Sequence, residues 1–268
     1  MSEINRQIAD ALSRLRQSKP LIHHITNFVV MNDTANVTLH MGALPVMAHA
    51  PQEVAEMTRM AGALVLNIGT LTSNWIDSML IAGQAANEHQ VPIVLDPVGA
   101  GATALRTEMS QRLLEELRIA IIRGNAGEIG ALCGAGGEVK GVESVKGVED
   151  PAAVARAMAA ERGMVVAITG KRDFISDDRR TLGVDNGHTW LTTITGTGCM
   201  ATTAIAAFAA VERNYLIAAV GGLACFGLAA ELAAEKAEGP ATFKVALFDQ
   251  IHNLRPEQLE KRARIVEL

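Results

Sequence analysis

The chain has 268 residues, 49% hydrophobic and 20% charged, with a net charge of −5 and a pI near 5.8. That composition excludes a disordered chain, and the acidic balance leaves no basic footprint for nucleic acid or an anionic membrane. Cys133, Cys199 and Cys225 lie far apart with no CxxC pair, which fits reduced thiols in a cytoplasmic protein better than disulfides or a zinc site.

MSEINRQIADALSRLRQ has the spacing of an amphipathic helix with mixed charges rather than that of a signal peptide. Short β-branched runs then alternate with helical patterns. PLIHHIT (20–26), ALPVMAH (43–49), ALVLNIG (63–69), VPIVLDP (91–97), RIAIIRGN (118–125) and MVVAITG (164–170) read as strands. Several are almost wholly apolar, as strands covered on both faces must be. The segments 29–40, 52–60, 73–88, 105–117, 126–133 and 151–162 read as helices. This alternation predicts one α/β domain over residues 1–268, built on a mostly parallel sheet with right-handed crossovers.

GAGGEVKGVESVKGVED (134–150) reads as an exposed loop with a short helix, because strand alternation resumes after it. RDFISD (172–177), RTLGVDNG (180–187) and HTWLTT (188–193) follow as antiparallel strands, with DNG as a turn. Two Ala-rich helices are predicted at 199–211 and 215–237, and a third at 239–254 with Pro240 in its first turn. The uncharged run 216–230 is shorter than the ~20 residues that span a bilayer, so it reads as a buried helix. His23 and His24 are adjacent on a strand and point to opposite faces, which argues against a shared metal. Met41, Met57 and Met60 read as core, whereas Met47 ends a strand and is placed to wall an apolar ligand.

In open α/β sheets ligands sit beyond the carboxyl ends of the strands. Asn67-Ile68-Gly69-Thr70, Asp96-Pro97-Val98-Gly99, Arg123-Gly124-Asn125 and Thr169-Gly170 all fall there. Any one of them is an ordinary turn signal, but together they outline a crevice. TITGTGC (193–199) adds a glycine-rich turn into a helix, where free N–H groups and the positive dipole end favour phosphate. It is neither a Walker A loop nor a GxGxxG fingerprint. Asp96 and Glu128 are two carboxylates of the kind Mg²⁺ uses beside phosphates, although each also suits a turn or a helix first turn. Arg123 closes an apolar strand and reads either as a snorkelling side chain or as a phosphate clamp. Cys199 reads as a nucleophile, a buried thiol or a bystander at an anion site.

Taken together, ITNFVVMNDTAN (25–36), GALPVMAHAPQE (42–53), LNIGTL (66–71), LDPVGAGAT (95–103), IRGNAGEI (122–129), ITG (168–170) and GTGCM (196–200) resemble the hydroxyethylthiazole kinase family of the ribokinase-like superfamily. The resemblance implies a three-layer α/β/α sandwich and transfer of phosphate from ATP, with Mg²⁺, to the hydroxyl of 4-methyl-5-(2-hydroxyethyl)thiazole in thiamine salvage. By motif it implies substrate contacts at Met47, Gly196 and Asn27, the last in a thiazole-lining region that extends to Asn36. It also implies ATP contacts at Arg123 and Thr169, an anion hole at Gly196, Thr197 and Gly198, and metal or phosphate-water carboxylates at Asp96 and Glu128. Cys199 stands where many ribokinase-like kinases carry a catalytic aspartate, so it is expected to assist without forming a covalent bond. A homotrimer with active sites at subunit interfaces is implied as well. A pyrimidine-alcohol kinase or a nucleotide-dependent hydro-lyase would share the fold. A cysteine hydrolase lacks a recognisable partner motif, and a non-catalytic nucleotide-binding module fits poorly with both carboxylates intact.

Overall fold

Strands that are apolar on both faces need cover on both faces. The computed structural model, which describes residues 2–134 and 150–268, has that arrangement. Among the described residues nine strands form one sheet: β1 (Leu21–Ile25), β2 (Leu44–Val46), β3 (Ala63–Asn67), β4 (Ile93–Asp96), β5 (Ile121–Asn125), β6 (Val165–Thr169), β7 (Asp173–Ser176), β8 (Thr181–Val184) and β9 (Ile265–Glu267). Their order is β2-β1-β3-β4-β5-β6-β7-β8-β9. Pairing is parallel from β2 to β6 and antiparallel from β6 to β9.

The two-residue period of a strand divides its side chains between two cores. Ala63 and Val65 of β3 join the core that contains α1 (Glu3–Ser18), α2 (Met31–Met41), α8 (Thr197–Ala209), α9 (Tyr215–Ala234), α10 (Pro240–Asn253) and α11 (Pro256–Arg262). Leu64 and Leu66 join the opposite core with α3 (Val54–Met60), α4 (Ser73–Glu88), α5 (Ala104–Glu116), α6 (Ala126–Cys133) and α7 (Pro151–Arg162). His23 and His24 divide in the same way. His23 Nδ1 pairs with Thr58 of α3 at 2.9 Å and His24 Nε2 with Thr38 of α2 at 3.0 Å. Both rings are fully buried, and burial lowers the pKa of each, so they are neutral packing groups.

The α/β/α sandwich matches the expected fold class, with local departures. HTWLTT is not a strand: Thr189–Thr193 is a 3-10 helix. The Thr192 and Thr193 hydroxyls fold back onto the Thr189 and Trp190 carbonyls at 2.8 and 2.7 Å, and β9 already occupies the free edge of β8. Helix α11 and strand β9 are additions to the elements expected from the sequence. Met41 is fully buried, but Met60, expected in the core, is 60% exposed at the end of α3. The 20-residue helix α9 is long and apolar enough to cross a membrane, yet 94% of its apolar window is buried inside the fold. Apart from Gly134 and Asp150, the segment read as a loop at 134–150 lies outside the described residues.

Candidate active site

The sheet order arranges the strand-end residues in a row. Met47 follows β2 and Asn27 follows β1; Asn67 and Asp96 end β3 and β4, Arg123 lies in β5, and Thr169 ends β6. Asn67 is the register partner of Asp96, and Asn125 that of Thr169. At ~4.8 Å per strand the row from β2 to β6 is about 24 Å long. Helix α8 packs over β3 and β4, so its N-terminus stands at the middle of the row.

That N-terminus is built by glycines. Gly196 is the N-cap in the left-handed region, at φ 87°, and no side chain caps the helix. The first helical bond runs from Met200 N–H to Gly196 C=O at 2.9 Å, which leaves the N–H groups of Thr197, Gly198 and Cys199 without helical acceptors. A Cβ on Gly196 would also overlap the Val30 side chain. Gly196→Ala is therefore expected to destabilise the protein by at least about 1–2 kcal/mol from backbone conformation alone, read as a lower urea midpoint; an unchanged midpoint would contradict the left-handed cap. Gly198 has a different reason to lack a side chain: a Cβ there would sit 2.6 Å from Arg123 Nη1. Thr197 turns its hydroxyl away, donating to Leu191 C=O at 2.9 Å.

Beneath α8 lies a polar cluster. Asp96 is completely buried. Its Oδ2 accepts from Asn67 Nδ2 at 3.0 Å and Thr202 Oγ1 at 2.8 Å, whereas its Oδ1 has no hydrogen-bond partner. Arg123 Nη1 stands 3.9 Å from that free oxygen, and Arg123 Nη2 donates to Thr169 Oγ1 at 2.5 Å. Burial raises the Asp96 pKa to about 6; Arg123 opposes the rise and Glu128 adds to it. Cys199 Sγ accepts from Asn67 Nδ2 at 3.2 Å and Asn27 Nδ2 at 3.6 Å. Its thiol is pushed up to about 12, first by burial and then by the Asp96 charge. Burial and the Asp96 charge outweigh the helix dipole and disfavour the thiolate, which argues against the cysteine-nucleophile reading.

Glu128 sits differently from Asp96. Its Oε2 accepts from Asn125 N–H at 2.9 Å in a capping box on α6, and its Oε1 accepts from Gly99 N–H at 2.8 Å. The carboxylate therefore ties the loop after β4 to the start of α6 and keeps spare lone pairs. Among the described residues no group of three or more His, Cys, Asp or Glu side chains is poised to hold a metal by itself. The donor set instead suits Mg²⁺, which takes one or two carboxylates and completes its shell with water and phosphate; the unpartnered Asp96 Oδ1 fits that role.

The ends of the row differ in character. Beyond β6 a cavity of about 640 Å³ is lined by Ala126, Ile168, Thr169, Gly170 and Phe174, with Arg172 paired to Asp185 at its edge. Toward β2 the surface is apolar: Met47 is half-buried, and the Phe28 ring packs against Trp75, tilted by 52° with centroids 4.9 Å apart. Asn36 lies on α2 with its amide turned back on Asn32, at 3.0 Å from that carbonyl. Two residues escaped the sequence reading. Asn67 appeared there only as a strand-end signal. Arg106 of α5 braces the rim by donating to Val98 C=O and Gly69 C=O, both at 2.6 Å. A further cavity of about 480 Å³, beside Gly163 and Tyr215, opens at the opposite end of the strands.

Comparison with known proteins bears on the family and the fold. A model of the hydroxyethylthiazole kinase family matches residues 12–257. The chain is 70% identical over 267 residues to a hydroxyethylthiazole kinase of Roseiflexus sp. (strain RS-1), covering 100% of this chain and 99% of the other. It superposes on the structure of a hydroxyethylthiazole kinase protein from Pyrococcus horikoshii OT3 with a TM-score of 0.91 at 46% identity, covering 98% and 99% of the two chains. A ribokinase-like superfamily protein from Enterococcus faecalis V583 shares the fold at 11% identity, with a TM-score of 0.67 over 92% and 95% of the chains.

Proposed function

The chain belongs to the hydroxyethylthiazole kinase family, and we propose that it transfers the γ-phosphoryl group of ATP to the primary hydroxyl of 4-methyl-5-(2-hydroxyethyl)thiazole, with Mg²⁺, in thiamine salvage. The observation that carries this reading is the row itself. An apolar end, a buried carboxylate with a free oxygen under an uncapped helix N-terminus, and an arginine-lined end with a cavity follow one another along the rim.

In this reading the nucleotide lies toward β5 and β6. Its base enters the cavity beside Ile168 and Phe174, and its phosphates meet Arg123 and Thr169. The free N–H groups of Thr197 and Gly198, with the positive end of α8, take the charge of the transferring phosphoryl group. Asp96 and Glu128 would hold Mg²⁺. When bound, the ion neutralises charge on the phosphate oxygens. The thiazole ring rests toward Met47, Gly196 and Asn27, which brings its hydroxyl to the N-terminus of α8.

Cys199 borders the hydroxyl but stays protonated, so it does not act as an ionised base. Phosphoryl transfer with a loose transition state demands little early deprotonation, and positioning with charge neutralisation carries the rate. Cys199→Ser is therefore expected to lower turnover by less than the ~10²-fold that loss of a general base costs. A larger loss in a folded variant would make the thiol obligatory.

The assembly that goes with this reading is a homotrimer with pockets at its interfaces. Phe28 and Val29 are each 62% exposed and Leu44 on the edge strand is 47% exposed, an apolar surface beside the thiazole end of the row. One kinase domain over residues 1–268 and a cytoplasmic location complete the proposal. The test is a substrate panel. With MgATP the thiazole alcohol is expected to exceed a pyrimidine alcohol in kcat/KM; the reverse preference, or ATP-dependent dehydration of a hydrate, would replace the reading.

A further inference from the structure

We propose that Asn67 is a positioning residue for phosphoryl transfer, whose amide aims both the free oxygen of Asp96 and the thiol of Cys199. The inference rests on the kinase reading above and adds to it a residue that acts through Asp96 and Cys199.

Asn67 is 1% exposed at the last position of β3, and every hydrogen-bonding capacity of its amide is used. Its oxygen accepts from Gly69 N–H at 3.0 Å and from Asn27 Nδ2 at 2.8 Å. Asn27 cannot reverse that arrangement, because its own oxygen accepts from Val29 and Val30 N–H at 3.1 and 3.3 Å. The orientation of the Asn67 amide is therefore forced, and both of its hydrogens face the chemistry. One goes to Asp96 Oδ2 at 3.0 Å and the other to Cys199 Sγ at 3.2 Å.

Two consequences follow for the carboxylate and the thiol. With Asn67 and Thr202 both on Oδ2, Oδ1 is the oxygen left for a ligand. With an N–H donated into Sγ, the thiol hydrogen must point away from Asn67. A reversed amide would set its oxygen against the Asp96 carboxylate, which repulsion forbids. One amide thus couples β1, β3, β4 and α8.

The test compares kcat and KM, for ATP and for the thiazole alcohol, in Asn67→Ala, Asn67→Ser, Cys199→Ala and the Asn67→Ala/Cys199→Ala double variant, with folding checked by circular dichroism. Expected is a kcat lowered about 10–100-fold in Asn67→Ala, as for loss of an outer-shell partner, with each KM within about threefold. The double variant should fall clearly short of the product of the two single losses, since the residues act together. Asn67→Ser, which keeps one donor and one acceptor, should lie between wild type and Asn67→Ala, and it carries the same test should the alanine variant not fold. A kcat within threefold of wild type, a loss confined to KM, or fully multiplicative losses would overturn the proposal. A wild-type protein without turnover would overturn the kinase reading first, and this inference with it.

Discussion

Replacing Asp96 with asparagine is expected to lower turnover about 10²–10³-fold, the scale on which charge-stabilising groups act in such sites, while making the ligand-free protein more stable. Both effects come from one feature, a carboxylate buried to 0% exposure with one oxygen unpartnered. Burying charge without full compensation costs free energy, and it appears as a folded-state pKa of about 6 against an ordinary value of 3.8. The folded protein therefore binds this proton more tightly than the unfolded chain does. The stability contributed by this group is present below pH ~4 and is lost as pH rises through ~6. At pH 8 the cost amounts to roughly 1–3 kcal/mol, and Asp96→Asn removes it while keeping the shape. Urea unfolding at pH 8 should show a higher midpoint for the variant, with a shallower loss of stability between pH 4 and 6. Turnover should fall, and the Mg²⁺ requirement should rise about 10–100-fold. An unchanged Mg²⁺ titration together with lower stability would reduce Asp96 to a structural member of the network.

Arg123→Ala is expected to cost about 10²–10³-fold in kcat/KM for ATP, and Arg123→Lys should recover little of it. The guanidinium is held from three directions: by its own strand β5, by Thr169 of β6 at 2.5 Å, and by the glycine face of α8 at Gly198. A lysine lacks the planar fork that makes these contacts together. Arg123 also acts on Asp96, 3.9 Å away, by favouring its ionised form. Its removal should therefore shift the acidic limb of the pH–rate profile to higher pH, the direction expected when a carboxylate loses its cation. Gly198→Ala should produce a weaker version of the same defect, because the added methyl displaces the guanidinium. Full activity in Arg123→Lys would mean that charge alone suffices.

The elements legible in the sequence were those that announce their own ends. Ser73–Glu88, Ala126–Cys133 and Pro151–Arg162 follow Thr72, Asn125 and Asp150, each a side chain that accepts from the first turn. The rim of the site was legible for a related reason, since the neighbouring parallel strands β3 to β6 each close on a polar residue and a parallel sheet carries those closings to one edge. The 3-10 helix at Thr189–Thr193 was not legible, because a run rich in threonine suits a strand as well as a turn closed by hydroxyls. Strand β9 depends on a pairing with β8 some eighty residues earlier, which no local pattern records. The depth of the site was equally hidden. LNIGTL shows an asparagine at a strand end, but its four bonds are set by the register of β3 against β4 and by where α8 crosses them. NAGE shows a helix-capping glutamate, while the bond from Gly99 to the same carboxylate comes from a neighbouring loop.

In the proposed reaction the N-terminus of α8 receives a phosphoryl group on its way to a thiazole alcohol. The most direct measurement is a single-turnover reaction of the purified protein with ATP, Mg²⁺ and 4-methyl-5-(2-hydroxyethyl)thiazole, with products resolved by mass. One equivalent of the thiazole phosphate ester per active site is expected, formed together with ADP and abolished when Mg²⁺ is chelated. A folded protein that binds ATP but forms no ester above background, or that forms it equally well without Mg²⁺, would contradict the proposed reaction.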